Sequence, residues 1–233
     1  MFNRFASLKE DFVRLFYPHL CLGCADEQLS ANAIICPFCF TKLPRTNFAD
    51  IPDNPTEKIF SGRLPIIHAY SEFYFEKDSV IQQLLHQLKY KNKTNIGEYI
   101  GELMGESMAA SFRFKEIDAV IAMPLHKAKE KKRGFNQSSF IAHGISRTIG
   151  KPMLENCIER IKNTATQTKK LRDERWLNVA YSFRVKNPES IKNKHLLLVD
   201  DVITTGASIE SCGRALLEVD DVKVSLASAA LTV

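Results

Sequence analysis

The sequence lacks long apolar runs: no segment approaches the roughly 20 consecutive apolar residues that a membrane-spanning helix needs. It also lacks a large excess of either charge, because 32 Lys and Arg residues stand against 27 Asp and Glu residues, a net charge of +5. That balance suits an anionic partner without identifying one. No internal repeat is visible, and Lys9, Glu10 and Asp11 interrupt the apolar core that a signal peptide would need. We therefore expect a cytoplasmic protein with no membrane span.

What is present is the composition of an ordinary globular protein, with 45% hydrophobic and 25% charged residues among 233. Near the start, Phe2, Phe5, Phe12, Leu15 and Phe16 fall roughly at helical spacing. This spacing predicts an amphipathic helix. Its polar face carries mixed charge, which favours docking on the rest of the protein over binding to a membrane surface.

Strand and helix patterns alternate along most of the chain. Short apolar runs predict strands at 117–124, 195–199 and 222–233, and a possible strand pair at 68–76; helical periodicity predicts helices at 79–90, 96–112, 135–150 and 208–219. Strands that alternate with helices of this length predict an α/β fold with a mostly parallel sheet covered on both faces. The stretch between the cysteine-rich start and this region is rich in Pro, Asn and Asp and has no period. We therefore predict an N-terminal helix and four-cysteine unit at 1–45, a linker at 46–65 and the main domain at 66–233.

Four of the six cysteines lie in two Cys-x-x-Cys motifs, Cys21 to Cys24 and Cys36 to Cys39. Each such turn delivers two sulfurs to one ion, and zinc takes four ligands in a tetrahedron. Two disulfides are a rival interpretation, but a cytosolic chain is kept reduced. A thioredoxin-type redox site would need one such pair before a helix. The spacing predicts a structural zinc site, because four thiolates leave no open position for chemistry; Cys157 and Cys212 are expected in the core.

A second group of residues follows the apolar run 196–199. Two acids, Asp200 and Asp201, precede a turn of small and hydroxylated residues: Thr204, Thr205, Gly206, Ala207 and Ser208. Small residues before a helix let the backbone approach an anion, and the free amides and the helix dipole favour a phosphate there. The acids would then face sugar hydroxyls or a magnesium ion carried with the ligand. The pattern favours a sugar phosphate, although paired acids before a turn also occur as simple helix caps.

This segment resembles the phosphoribosyl pyrophosphate (PRPP) loop of type I phosphoribosyltransferases. Nearly the whole chain resembles the ComF family of competence and DNA-uptake proteins. The resemblance runs from the cysteine motifs through LHQLKYK (85–91), MPLHKAKEKKRGFNQS (123–138) and ATQTKKLRDERWLNVAYSF (165–183) to the last strand. One departure is Ala122-Met123-Pro124, where the family usually carries Pro-x-Pro. The resemblance implies the type I phosphoribosyltransferase fold, PRPP and magnesium as ligands, and a role in handling imported single-stranded DNA, with proteins of the competence machinery as further candidate partners.

The two middle blocks supply the remaining candidate site residues. Pro124, Arg133 and Gln137 follow a core strand, and Arg133 beside a glycine can make a forked contact to pyrophosphate. The lysines of the same block are more typical of a solvated face. The family pattern of a mobile hood over the site falls on Gln167, Arg175 and Asn178. A charged surface helix is the alternative for that stretch.

Three functions stay open from the sequence. The first is a magnesium-dependent phosphoribosyltransferase, in which Asp200, Asp201 and Arg133 would be the catalytic residues and no covalent nucleophile is required. The second is a regulator that binds PRPP without turnover. The third is a single-stranded nucleic-acid-binding module whose basic residues make binding steeply dependent on salt. No base-binding motif is recognisable, so the sequence does not identify an acceptor.

Overall fold

The computed structural model describes residues 19–26, 29–30, 33–91, 93–161 and 182–232. The predicted N-terminal helix and the hood residues Gln167, Arg175 and Asn178 lie outside these ranges. The helices are α1 Pro37–Thr41, α2 Pro55–Phe60, α3 Val80–Tyr90, α4 Asn95–Ala110, α5 Lys127–Arg133, α6 Gln137–Ile149 and α7 Ala207–Leu217. The strands are β1 Ala69–Tyr74, β2 Ala119–Ala122, β3 Ile158–Arg160, β4 Phe183–Val185, β5 His195–Ile203 and β6 Lys223–Leu231.

Four strands form one parallel sheet in the order β1-β6-β5-β2, and β3 pairs with β4 in a separate antiparallel pair. Consecutive residues of a strand point to opposite faces, and the whole run from Leu196 to Val199 is fully buried. Both faces of β5 are therefore covered, which explains its unbroken apolar sequence. The α/β class with a parallel sheet, preceded by a four-cysteine unit, is confirmed. Among the described residues, no helix is long and apolar enough to cross a bilayer.

Helices α4 and α6 pack against each other at very close range. A Cβ atom on Gly101 would lie 2.1 Å from the carbonyl oxygen of Ile141, and one on Gly144 would lie 2.3 Å from that of Glu98. No side chain fits between backbones at this distance, so the two glycines allow the contact. The packing fixes the start of α6, which carries several residues of the candidate site.

Two predicted elements differ in the structure. The segment predicted as a strand pair at 68–76 contains the single strand β1, which pairs in parallel with β6. Strand β5 runs four residues beyond the predicted end at residue 199, because Val202 and Ile203 still pair with β6. Asp200 and Asp201 therefore lie within strand β5 and not after it.

The segment predicted as a linker, 46–65, packs on the main domain. The Asn54 side chain caps α2 by accepting from the amides of Thr56 and Glu57, and its Nδ2 donates to the carbonyl oxygen of Ala69 at 2.8 Å. Phe60 is completely buried. The Pro and Asn residues that resembled linker composition begin a helix with two buried residues, Thr56 and Phe60. The division of the chain into domains stays a prediction.

The cysteine unit is attached to the main domain by polar contacts. Arg45 forms an ion pair with the buried carboxylate of Glu72 on β1, and the amide of Thr46 donates to the Glu72 carbonyl oxygen at 2.9 Å. On its other side, Nε2 of Gln87 on α3 donates to the carbonyl oxygen of Leu22 at 2.6 Å. The cysteine unit therefore touches both the edge strand β1 and helix α3.

Candidate functional site

The paired acids lie near the carboxyl end of β5, at the edge where ligands bind to parallel sheets. Oδ1 of Asp200 accepts hydrogen bonds from Ser138 Oγ at 3.0 Å and from the amide of Asp201 at 2.9 Å. Burial, together with the charge of Asp201, raises the pKa of Asp200 to about 7, although both hydrogen bonds and Lys89 lower it. Asp200 therefore changes its charge in the neutral range, unlike an ordinary surface aspartate.

Asp201 has a cationic partner from another element. Nζ of Lys89, near the end of α3, lies 2.6 Å from Oδ2 of Asp201, while Oδ1 accepts from the amide of Val202 at 2.7 Å. Sequence reasoning assigned no role to Lys89 or Ser138. Both fall inside the quoted family blocks, but only the fold brings them to β5.

The predicted phosphate loop connects β5 to α7. Thr204 and Thr205 are exposed, and Gly206 adopts a left-handed conformation with φ of 73° immediately before α7. Gly206 has no side chain to cap this helix, and Thr205 Oγ1 accepts a long hydrogen bond of 3.5 Å from the Ala207 amide. The N-terminus offers its remaining backbone amides and a positive dipole end to a ligand. Ala207 and Ser208 occupy its first turn. The loop has the local structure of an anion site.

Residues of the segment 46–65, which was predicted as a linker, pack against this loop. A Cβ atom on Gly206 would lie 2.8 Å from Cε1 of Phe60 and 2.9 Å from Cγ2 of Ile59. Arg63 donates from Nη1 to the carbonyl oxygen of Thr205 at 2.9 Å and forms an ion pair of 2.6 Å with Glu210 on α7. Helix α2 and the turn after it thus hold the loop in place. The Asn-Pro capping signature at 54–55 was the signal in the sequence that could have shown an ordered helix here.

The start of α6 joins the second block to the acids. Nδ2 of Asn136 donates to the carbonyl oxygen of Met123, just after β2, at 2.9 Å. Gln137 is 2% exposed; its Oε1 accepts from Nη1 of Arg133, while its buried Nε2 has no hydrogen-bond partner among the described residues. The next residue, Ser138, donates to Asp200. Arg133 and Gln137 are therefore in contact, and Ser138, the residue after Gln137, connects them to Asp200.

Pro124 occupies a neighbouring position on the same edge of the sheet. It follows β2 and lines a cavity of about 340 Å³ together with Lys127, Asn136 and Glu159. The lysines of α5 are exposed, as expected for a solvated face. Of the predicted site residues, those at 200–208 lie at the end of β5 and the start of α7. Arg133 and Gln137 contact each other at the start of α6, and Pro124 follows β2. The hood residues Gln167, Arg175 and Asn178 cannot be placed because they lie outside the described residues.

The four clustered cysteines have the geometry of a metal site. Their sulfur atoms all lie within 4.8 Å of one another, and the Cys24 and Cys36 sulfurs are 3.9 Å apart. Four sulfurs at about 2.3 Å from one ion would be about 3.8 Å apart in a tetrahedron. All six cysteines of the chain are free thiols. The donor set and its spacing fit a tetrahedral metal ion.

Backbone amides already favour a thiolate in this cluster. Burial raises the pKa of Cys21, but hydrogen bonds from the amides of Cys24, Cys36 and Gly23 lower it by more, so that the pKa is about 6. Burial and the neighbouring cysteines raise the pKa of Cys39. Thiols that share one small space cannot all ionise without a cation, so metal binding would release protons from this cluster.

Comparison with known proteins identifies relatives of this chain. No family model matches it. It is 30% identical over 137 residues to the DNA utilization protein YhgH of Escherichia coli O157:H7, covering 58% of this chain and 60% of that protein. It is 25% identical over 199 residues to the competence protein ComFC of Bacillus subtilis, covering 85% of this chain and 78% of that protein. The chain is a homologue of these DNA utilization and competence proteins.

The homology confirms the resemblance to ComF proteins expected from the sequence. The match to the DNA utilization protein spans about three fifths of that relative's length, 60%. Among solved structures, a hypoxanthine phosphoribosyltransferase from Staphylococcus aureus matches with a TM-score of 0.34 at 12% identity, over 62% of this chain and 69% of that one.

Replacing Gly206 by alanine tests whether helix α2 supports the loop. We expect Gly206→Ala to lower the free energy of unfolding by about 2–4 kcal/mol, since a left-handed alanine costs about 1–2 kcal/mol and its Cβ overlaps the buried Phe60 ring. Gly150→Ala is the matched control, because Gly150 has a similar φ of 67° with no atom within 4 Å of the added Cβ. Denaturant unfolding measures both. Equal losses of unfolding free energy in the two variants would contradict the inference that Phe60 supports the loop.

Proposed function

We propose that this protein binds PRPP together with magnesium at the carboxyl edge of its parallel sheet. The observation that carries the proposal is that two features suited to ligand binding meet at one strand end: the acid pair on β5 and the N-terminus of α7. Asp200 and Asp201 would accept hydrogen bonds from the two ribose hydroxyls. The loop Thr204, Thr205, Gly206, Ala207 and Ser208 would bind the 5-phosphate through its amides and hydroxyls.

Pro124, Arg133 and Gln137 would bind the pyrophosphate half. The guanidinium group of Arg133 supplies positive charge and is oriented by Gln137, whose buried Nε2 offers a further donor. Magnesium, when bound with the ligand, neutralises phosphate charge. The hood residues Gln167, Arg175 and Asn178 are proposed to cover the bound ligand and exclude water.

With these groups the protein could transfer the phosphoribosyl group. The bond from the anomeric carbon to the pyrophosphate oxygen would break, and a bond to an acceptor nucleophile would form, through a cation-like state. The residues named would act by positioning and charge stabilisation. A regulator that binds PRPP without turnover would use the same pocket. Incubation with PRPP, magnesium and a panel of bases and ammonia separates the two, since only turnover releases pyrophosphate beyond the uncatalysed rate.

PRPP binding is tested by calorimetric titration of the purified protein in the presence of magnesium. We expect the double variant Asp200→Asn/Asp201→Asn to bind more than about 100-fold more weakly than the wild type, because each hydrogen bond to a charged group contributes about 1.5–3 kcal/mol. Asp221→Asn is the control, since Asp221 is exposed and precedes β6 at the opposite edge of the sheet. Absence of binding to the wild type would overturn the proposal.

We further propose that the cysteine cluster binds zinc as a structural ion. Cys21, Cys24, Cys36 and Cys39 supply four soft ligands and leave no coordination position for a substrate. Thiolate ligands require a reducing compartment, which supports a cytoplasmic location. Zinc would link the two Cys-x-x-Cys motifs to each other.

Metal analysis of the purified protein tests the zinc proposal. We expect one zinc ion per chain, and we expect Cys36→Ser to lose it and to unfold at a lower temperature, because Cys36 is fully buried within the cluster. Cys157→Ser is the matched control: Cys157 is also buried, but lies outside the cluster. A different metal, or full zinc content in Cys36→Ser, would contradict the assignment.

The relatives favour a role in DNA uptake, and one feature favours direct contact with single-stranded DNA as a second candidate function. Helix α5 carries Lys127, Lys129, Lys131 and Lys132, all exposed, beside the candidate site. An exposed cationic helix suits the phosphates of a nucleic acid. The PRPP pocket would then act as a sensor or a backbone clamp. Proteins of the competence machinery are further proposed partners.

Charge reversal in α5 tests this second function. We expect the triple variant Lys129→Glu, Lys131→Glu, Lys132→Glu to bind oligothymidylate more weakly and to lower the slope of log affinity against log salt by about 2, at about 0.7 per lost phosphate contact. The matched control reverses three exposed lysines elsewhere, Lys58, Lys115 and Lys223. Fluorescence anisotropy at several salt concentrations measures both. Equal losses in the two triple variants would remove α5 as the contact surface.

A further inference from the structure

Helix α3 reaches both the cysteine cluster and the acid pair. At its start, Val80 packs against the cysteine unit: a Cβ on Gly23 would lie 3.2 Å from Cγ1 of Val80. Near its end, Gln87 donates to the carbonyl oxygen of Leu22 at 2.6 Å. Two residues later, Lys89 meets Asp201 at 2.6 Å. One rigid element therefore touches two sites that are far apart in the sequence.

The Lys89 contact is well formed and partly shielded from water. The side chain of Lys89 is 24% exposed and that of Asp201 is 17% exposed, so solvent screens their attraction less than it screens a surface pair. The following residue, Tyr90, places its ring 5.8 Å from the guanidinium carbon of Arg133. The end of α3 thus contacts one residue from each half of the candidate ligand site.

We propose that Lys89 is a positioning residue of the candidate PRPP site, because its ammonium group holds Asp201 in place and compensates the charge of the acid pair. The Gln87–Leu22 hydrogen bond holds α3 in the position that this contact requires. This inference rests on the proposed function for its effect on ligand binding. The part that concerns the acid pair stands on the ligand-free geometry alone. It lets the cysteine unit influence the site through α3.

Several charged or titratable groups face Asp200. Asp201 on the same strand raises its pKa, and Lys89 from α3 lowers it. Arg160 on β3 and the buried thiol of Cys212 on α7 also interact with Asp200 through charge. Removal of Lys89 takes away a cation and leaves the other groups in place. The pKa of Asp200 should then rise above its present value of about 7, so Asp200 would be protonated at pH 7 and would accept fewer hydrogen bonds from a ribose.

A ligand-free titration tests the contact directly. Carboxyl-carbon NMR against pH follows the ionisation of Asp200 in the wild type, Lys89→Met and Lys89→Arg. We expect Lys89→Met to move the midpoint upward by about one pH unit, and Lys89→Arg to keep it close to the wild type. Lys91→Met is the matched control, since Lys91 is an exposed lysine at the end of the same helix. A midpoint that does not move in Lys89→Met overturns the proposal whether or not PRPP binds.

Ligand binding provides a second readout. By calorimetry with PRPP and magnesium, we expect Lys89→Met to bind about tenfold more weakly at pH 7, with a smaller loss at pH 9, where Asp200 is ionised again. A merely structural defect would weaken binding equally at both pH values. A wild type that binds PRPP, with an unchanged affinity and pH profile in Lys89→Met, overturns the inference. A wild type that does not bind PRPP overturns the proposed function, and the NMR titration still decides the role of Lys89.

The link to the cysteine unit is tested by Gln87→Met, which keeps the length of the side chain and removes the donor to Leu22. We expect the midpoint of Asp200 to move in the same direction as in Lys89→Met, but by less, because Lys89 is still present. The matched control is Gln83→Met, one turn earlier on the same helix. If Gln87→Met behaves like Gln83→Met, the cysteine unit does not set the position of Lys89.

Discussion

The negative charge of two adjacent carboxylates at a buried strand end must be compensated by nearby groups, and much of the site consists of those groups. Asp200 and Asp201 lie where β5 leaves the core, and taking their charge out of water is unfavourable unless partners replace the solvent. The partners come from different parts of the chain: Ser138 on α6 and Lys89 on α3. The acid pair therefore ties together elements that the chain order separates. A sugar diol bound here would donate hydrogen bonds to acceptors that are already held in position.

The loop after β5 depends on a second kind of support. Its backbone must expose amides to bind an anion, so it cannot be held by its own hydrogen bonds alone. Phe60 and Ile59 pack under Gly206, and Arg63 bonds the Thr205 carbonyl oxygen and pairs with Glu210. The segment that supplies these residues precedes the first strand of the sheet. Support from outside the loop leaves its outer face open to a ligand.

Sequence patterns predicted the α/β class, the helices α3, α4, α6 and α7 and the clustering of the cysteines, because each rests on local periodicity or spacing. They were incomplete where contacts between residues remote in the chain decide the structure. Strand β5 extends past Val199 because β6 continues beside it, which no property of 200–203 reveals. The segment 46–65 has the composition of a linker, yet Phe60 is fully buried against elements far along the chain.

The candidate site divides in the same way. The acids, the small residues of the loop and the Cys-x-x-Cys pairs were identifiable from sequence, since their chemistry depends on residue type and short spacing. Ser138 and Lys89 were not, because serine and lysine are common on helix surfaces and only the packing of α3 and α6 turns these two toward β5. By itself, the sequence determined which groups are candidates to bind a sugar phosphate and a metal ion. The tertiary structure alone decided which side chains compensate the acids, since compensation depends on distances between residues that are remote in the chain.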